Sequence, residues 1–339
     1  MVRVGVIGVG HLGRHHARVC RQLEGCQLVG VFDTDASRAS AVASEFGTTA
    51  FAEPDELVGS VDAVTIAVPT SAHHAAARRC LERGVHVLIE KPIASTVEEA
   101  RDLVALARER SLLIQVGHVE RFNPAMRAAL TVLNEPRFIE AHRLGVFVPR
   151  GTDVAVVLDL MIHDIDLILA AVRAPVSRID AVGVPVLSGS IDIANARLSF
   201  ADGCVANVTA SRVSREKVRK IRFFQKDAYI SVDCSRPLAQ VFRKKDVPRE
   251  TLFAIARGEA PGGLNSVVDY EELPMDSTEP LALEQASFVR AVRERRRPEV
   301  DGEDGAKALE VAFEIMRQIG SNAAADPAAA HERAARRSA

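Results

Sequence analysis

The feature that most constrains this chain is its beginning. An apolar run, Val2–Ile7, leads straight into Gly8-Val9-Gly10-His11-Leu12-Gly13, and helical spacing follows over 12–23. A strand, a glycine-rich turn and a helix in that order form the phosphate-binding unit of a dinucleotide fold. Gly8 permits the tight turn, Gly10 lets the backbone approach a pyrophosphate, and Gly13 lets helix and strand pack closely. The free N–H groups of the helix start, around His11 and Leu12, then face the anion. This reading is preferred to a simple tight turn because the motif opens a longer alternating unit.

The alternation continues through Gln27–Phe32, Ala63–Val68, His86–Ile89 and Leu112–Val116, with helical spacing at 36–46, 73–83 and 96–110. Short Val- and Ile-rich strands buried on both faces imply a parallel sheet with right-handed crossovers. Asn123-Pro124 is expected to close this regime. Strand-like segments then dominate: Arg137–Leu144, Ile179–Val186, Asn195–Phe200, Val205–Ser211, Val218–Gln225 and Ala228–Asp233, with a hairpin signal at Asp202-Gly203. One helix, about 154–171, interrupts them. The expected fold is therefore α/β: a Rossmann domain with a doubly wound parallel sheet over 1–123, then an α+β domain with a large, mostly antiparallel open sheet over 124–322. Two late helices, about 281–295 and 303–319, are split by Arg297-Pro298 and can pack back toward the first domain. An Ala/Arg-rich tail occupies 323–339.

Composition narrows the partners. The 339 residues carry 43 basic and 45 acidic side chains, so no global field collects nucleic acid or an anionic membrane. Cys20, Cys26, Cys80, Cys204 and Cys234 show neither CxxC nor zinc-like spacing, which suits a reducing, cytoplasmic setting with no metal site. The most apolar long stretch, 151–172, carries Asp153, Asp159, His163, Asp164 and Asp166 and does not suit a membrane span. No signal peptide is expected before Val2.

Several side chains have the chemistry for a site. Asp33 ends the second strand twenty residues after Gly13, where a carboxylate accepts the adenosine ribose hydroxyls and disfavours a 2′-phosphate. NAD is thus expected over NADP, with Thr34 and Arg38 alongside and Arg38 able to soften the preference. Asp33 as a helix cap fits the same position. The later strand ends carry Val68-Pro69-Thr70 with His73, and Glu90-Lys91-Pro92. Strand C-termini in such sheets line the ligand crevice, and a Lys held there by Pro is a candidate for moving a proton or orienting a hydroxyl. Taken alone, Lys91 equally suits a solvated strand end. On the later helix, the four-residue spacing of Asp159 and His163 puts them on one face, and His is suited to take a hydroxyl proton at neutral pH. His11 and His118 lie in or beside the crevice. His15, His16, His74, His86, His142 and His331 read as surface or satisfied core histidines.

These motifs together resemble the Gfo/Idh/MocA oxidoreductase family over nearly the whole chain. The likeness rests on Gly8–Gly13 with His16, Val68-Pro69-Thr70 with His73, Glu90-Lys91-Pro92, Asp159-Leu160-Met161-Ile162-His163-Asp164, and the late Asp301-Gly302-Glu303-Asp304-Gly305. The resemblance implies Lys91 and His163 as the catalytic pair with Asp159 beside them, Glu90 near the nicotinamide ribose, and subunit contacts through the open sheet, giving a homodimer or homotetramer. A narrower resemblance lies in Val116–Pro124 and in Thr209–Ser214 continuing through Lys217 and Arg219. It points to the branch of UDP-N-acetylglucosamine 3-dehydrogenases, some of which supply 3-keto sugars to an aminotransferase for lipid A. Glu120, Arg121, Asn123, Arg212 and Lys217 are then expected to meet substrate. Arg212, Arg215, Lys217, Arg219 and Lys220 would form a basic cluster for a diphosphate, unless they are a solvated strand edge. Dehydrogenation of another nucleotide sugar, a free sugar or inositol is the nearest alternative. A non-catalytic NAD-binding sensor on the same fold is the alternative of another class.

Overall fold

The computed structural model describes residues 1–147, 154–248, 250, 253, 257–258 and 267–325, with side chains in the last helix as far as Ser321. The tail beyond 325, including His331, lies outside the described residues. The chain divides into two compact units: Met1–Phe122 with Thr278–Val311, and Asn123–Ser277 with the chain from Ala312.

The first unit is built on a parallel sheet of six strands, β1 (Val2–Ile7), β2 (Cys26–Phe32), β3 (Thr49–Ala50), β4 (Ala63–Ile66), β5 (His86–Glu90) and β6 (Ile114–Gly117). Their order, β3-β2-β1-β4-β5-β6, reverses direction between β1 and β4, which creates a crevice beyond the strand C-termini. Helices α1 (His11–Gln22), α2 (Ala36–Phe46), α3 (Pro54–Val58), α4 (His73–Glu82) and α5 (Val97–Glu109) form the crossovers. The central strands are apolar throughout because both faces are covered: every residue of β4 is buried, as are Val87, Leu88 and Ile89 of β5. Neither β3 nor α3 is visible in the sequence pattern, since two and five residues are too short to establish a period.

The second domain expected over 124–322 is not continuous, because 278–311 belong to the first unit. The reason is the apolar stripe of α8 (Pro280–Glu294). Phe288, Val289 and Val292 join Val2, Val4, Cys20, Ala63 and Leu88 in one buried cluster. Removing a side chain the size of Phe288 from water contributes roughly 1.5–3 kcal/mol. The following segment adds to the sheet margin, where Val116 donates to the Val300 carbonyl at 3.0 Å and Gln115 bridges to Asp301. Helix α9 (Gly302–Ala325) begins there with reciprocal Asp301 and Asp304 capping bonds.

The second unit carries eight strands in the order β14-β13-β12-β11-β7-β10-β9-β8. They are β7 (Phe138–Leu144), β8 (Val176–Val184), β9 (Ile193–Phe200), β10 (Val205–Ser211), β11 (Val218–Phe224), β12 (Ala228–Asp233), β13 (Leu238–Lys244) and β14 (Val268–Glu272). Neighbours are antiparallel except β7 and β10, which run parallel. Strands β13 and β14 were not anticipated. Asn123-Pro124 opens a helix as well as closing the first unit: Asn123 accepts from the Ala125 N–H at 3.1 Å, and Pro124 starts α6 (Pro124–Val132), where its missing N–H costs nothing. The helix expected over 154–171 is α7 (Ile162–Ala171) preceded by a wider π-helical turn, Val157–Met161. Among the described residues no helix is long and apolar enough to cross a membrane.

Candidate active site

In the first unit, the C-terminal ends of β1, β4 and β5 gather most of the expected cofactor residues. Gly8 has φ +82°, and a Cβ there would lie 2.7 Å from Val68 Cγ1, so the β1 and β4 turns meet at a position closed to side chains. A Cβ on Gly13 would lie 1.8 Å from the Gly8 carbonyl oxygen, whereas one on Gly10 would meet nothing within 4 Å. Gly10 thus borders open space at the start of α1, a helix whose first turn has neither a side-chain cap nor an acidic residue. Unsatisfied N–H groups beside an open cradle fit a pyrophosphate. His11, Leu12 and Thr34 are exposed around it.

Asp33 is buried, and its Oδ2 accepts from the Val9 N–H at 2.8 Å while Oδ1 accepts from the Asp35 N–H at 2.9 Å. The helix-cap alternative falls, because Asp35 caps α2 by accepting from the Arg38 N–H. Arg38 donates to Asp33 at 3.1 and 3.3 Å and also pairs with Asp35, so its charge is shared by two carboxylates. This set fits the adenosine half of NAD.

These contacts separate two glycine substitutions. Gly10→Ala is expected to keep cofactor-free stability within about 0.5 kcal/mol while weakening NAD binding about tenfold or more, 1.4 kcal/mol. Gly13→Ala should lower both, because its clash is with backbone. Calorimetry with and without NAD measures each arm.

His73 ties two strand ends together. Its Nδ1 lies 2.8 Å from the Pro92 carbonyl and its Nε2 3.0 Å from the Val68 carbonyl, next to the cis Lys91–Pro92 peptide. Burial outweighs those carbonyls and the Glu90 charge and holds the imidazole below the usual histidine range. Glu90 accepts from His16 Nε2 at 2.7 Å through Oε1 and from the Lys91 main-chain N–H at 3.2 Å through Oε2. Burial alone would raise Glu90, but the hydrogen bond from His16, the charge of Lys91 and the Lys91 N–H together hold it below the ordinary carboxylate range. His16 is thus more than a bland core histidine. It projects three residues beyond Gly13 to brace the residue before Lys91. His118 is fully buried just past β6, followed by buried Glu120 and half-buried Arg121.

In the second unit, Asp159 lies on the π-helical turn and His163 in the first turn of α7, both half-buried. The four-residue spacing therefore spans a change of helical pitch; such wide turns recur at functional sites. Asp164, next to His163, forms a buried two-pronged pair with Arg143 of β7 at 2.8 and 2.9 Å. Arg143 escaped the sequence reading, yet a signal was present: it occupies the inward phase of an alternating strand, in line with buried Ile139 and Ala141.

Two expectations change. The basic cluster of 212–220 is not one patch. Arg212 is buried, donates to the Val154 carbonyl and has Nε 4.0 Å from buried Asp192. Asp192 itself accepts the N–H groups of Val186, Leu187 and Ser188, so Arg212 belongs to a braced loop. Arg219 and Lys220 are consecutive in β11 and leave opposite faces of the sheet, Arg219 beside Arg143 and Lys220 beside His142. Arg215 and Lys217 remain exposed. Asn123 is committed to the fold as the α6 cap and donates to the Cys234 carbonyl at 3.1 Å.

Known proteins share this architecture. Residues 2–118 match the model of the oxidoreductase family with an NAD-binding Rossmann fold, and residues 135–231 match the GFO/IDH/MocA C-terminal domain. The chain is 39% identical over 315 residues to a UDP-N-acetylglucosamine 3-dehydrogenase of Acidithiobacillus ferrooxidans, covering 93% of this chain and 96% of that one. A solved structure of a UDP-N-acetylglucosamine 3-dehydrogenase from the same organism superposes with TM-score 0.84 at 38% identity, covering 94% of this chain and 98% of that one. A scyllo-inositol 2-dehydrogenase (NAD(+)) of Bacillus subtilis is 29% identical over 232 residues, 63% of this chain and 68% of its own. With both domain models matched and a relative so similar over nearly its full length, the chain belongs to the Gfo/Idh/MocA oxidoreductase family, whose first domain binds NAD.

Proposed function

We propose that this protein oxidises the C3 hydroxyl of UDP-N-acetylglucosamine to the 3-keto sugar. The observation that carries this reading is the 39% identity, over 96% of its length, to a UDP-N-acetylglucosamine 3-dehydrogenase. When bound, NAD⁺ supplies the hydride acceptor. Oxidation removes the C3 hydrogen as hydride and the hydroxyl hydrogen as a proton, so a base is needed at that oxygen. Lys91, fixed at the end of β5 by Glu90 and Pro92, holds the hydroxyl and the developing carbonyl oxygen in line for transfer. His163 and Lys91 are the two candidate bases, and Asp159 holds the sugar or orients His163. On the segment after β6, half-buried Arg121 is the candidate to meet substrate, whereas His118 and Glu120, expected to meet cofactor and substrate, are buried. Exposed Arg215 and Lys217 are the remaining candidates for the diphosphate from the basic segment.

The family's inositol relatives favour a second reading, oxidation of a free polyol. UDP separates the two. Incubation with NAD⁺ and a panel of UDP-sugars, following reduced cofactor and product mass, is expected to give a keto product from UDP-N-acetylglucosamine and inhibition by UDP. A polyol dehydrogenase would ignore UDP. The oxidation of a secondary alcohol by NAD⁺ is uphill, so a sugar aminotransferase that consumes the ketone is the natural partner, in the cytoplasm.

A homo-oligomer through the open sheet belongs to the same proposal. Phe138, Phe224, Tyr229, Phe242 and Tyr270 are direct cross-strand neighbours on five successive strands, with ring centroids 4.9–5.5 Å apart. They occupy the phase opposite to buried Ile139, Phe223, Ile230 and Val241. A continuous aromatic stripe of this kind suits a second copy.

A further inference from the structure

Behind Glu90 lies a chain of buried polar groups that the reaction above does not use. Gln285, fully buried on α8, donates from Nε2 to His16 Nδ1 at 2.8 Å and to Thr65 Oγ1 of β4 at 3.0 Å. With Nδ1 accepting, the imidazole carries its proton on Nε2 and donates it to Glu90. Tautomer, ring orientation and the direction of the Glu90 carboxylate are therefore set by a residue 269 positions downstream of His16. The preceding residue, Glu284, is fully buried, and among the described residues neither of its carboxyl oxygens has a hydrogen-bond partner. Its main-chain carbonyl accepts from Gln115 Nε2 of β6 at 2.9 Å, which fixes this turn of α8 against the sheet.

A carboxylate with no donor, buried in protein, cannot hold its charge at ordinary pH. Among the described residues, the titratable groups on the elements packed against this helix include His16 on α1 and Glu120 and Arg121 on the turn Val119–Phe122, and the charge that acts on Glu284 is that of Glu90, next to Lys91 at the end of β5. Gln115, Gln285 and Thr65 are neutral. Burial and the negative charge of Glu90 both push the Glu284 carboxyl well above the usual range. Two carboxyls that sense one another then divide the work, one ionised and hydrogen-bonded, the other neutral.

We propose that Glu284 and Gln285 are positioning residues that hold Glu90 as a single, directed negative charge against Lys91. Gln285 fixes the His16 tautomer that grips Glu90, and neutral Glu284 keeps a second negative charge out of the pocket. A second charge would strengthen the hold of Lys91 on its proton and so oppose transfer from the substrate hydroxyl. This inference rests on the reading of Lys91 as the hydroxyl partner.

The test has one arm that needs neither cofactor nor substrate. Thermal unfolding of cofactor-free wild type and Glu284→Gln is compared from pH 5 to 8.5. The folded wild type keeps a proton that the unfolded chain has lost, so its stability falls as pH rises above the unfolded carboxylate pKa and up to the folded one. Glutamine has no such proton, so the melting temperature of E284Q minus that of wild type should grow with pH, by about 2–4 °C for each tenfold loss of the folded equilibrium that it avoids. A difference constant across this range would mean that Glu284 is not held neutral, and the proposal would fall.

In the second arm, kcat is measured against pH. Wild type should lose turnover on the alkaline side where E284Q does not, and Gln285→Leu should lower kcat about tenfold with KM nearly unchanged. Superimposed profiles, or a Gln285→Leu loss confined to stability, would also overturn the proposal. Absence of turnover by wild type on every UDP-sugar would defeat the substrate reading instead, and the thermal arm would still decide the charge state of Glu284.

Discussion

Replacing Lys91 by alanine is expected to lower kcat by about 10²–10⁴, the range supplied by a positioned proton-transfer group, while NAD binding changes little. In the proposed site the adenosine end of the cofactor is held elsewhere, by the Gly8–Gly13 turn and the carboxylate of Asp33. Lys91 would add only its terminal amine at the reacting oxygen. His163→Ala should show the same pattern, and comparing the two pH profiles assigns the base. The variant that loses the neutral-range limb of the profile has lost the group that accepts the proton. Single-turnover kinetics with a dye-free reduced-cofactor signal check both, and near-normal turnover of Lys91→Ala would remove the mechanism. With no Trp and only Tyr229 and Tyr270, the chain absorbs weakly in the aromatic band, so co-purified NAD would stand out in a simple spectrum.

The second large effect is on stability. Arg143→Met is expected to cost about 3–5 kcal/mol, because it removes the counter-charge and the two guanidinium hydrogen bonds from the buried Asp164 carboxylate. Both side chains are only 4–6% exposed, so solvent cannot replace the guanidinium. Denaturant titration measures the loss. Replacing both members, Arg143→Met with Asp164→Leu, should recover most of it, since the pair itself repays its desolvation only in part. If the single variant were as stable as wild type, the pair would not be what holds α7 to β7. Because His163 precedes Asp164, the single variant should also lose turnover in greater proportion than its unfolded fraction explains.

The parallel half of the fold was legible because its determinants are local. The strands of the first unit other than β3 are short, largely apolar runs, and Gly8 and Gly13 carry a steric requirement, since a Cβ there would lie 2.7 and 1.8 Å from its nearest neighbour. Interactions between residues far apart in sequence were not legible. The partnership of Gln285 with His16 joins α8 to α1, and nothing in either helical pattern announces it. The interruption of the second domain had a visible cause in the apolar spacing of Phe288, Val289 and Val292, yet periodicity does not name the surface that a stripe will cover. The basic segment 212–220 misled for a related reason. A run of charges looks like one patch in sequence, but a strand sends alternate side chains to opposite faces, and Arg212 found its counter-charge in Asp192. Arg143 was readable by its phase alone, since an Arg in the inward register of a strand calls for a buried acid.

The central claim is the position of oxidation, and an isotope tests it directly. UDP-N-acetylglucosamine carrying deuterium at C3 of the sugar is incubated with NAD⁺ and the protein, and the reduced cofactor is examined by mass spectrometry. The account predicts reduced cofactor one mass unit heavier, together with a keto sugar that has lost the label. Unlabelled reduced cofactor, or none at all while a free polyol is oxidised, would contradict it.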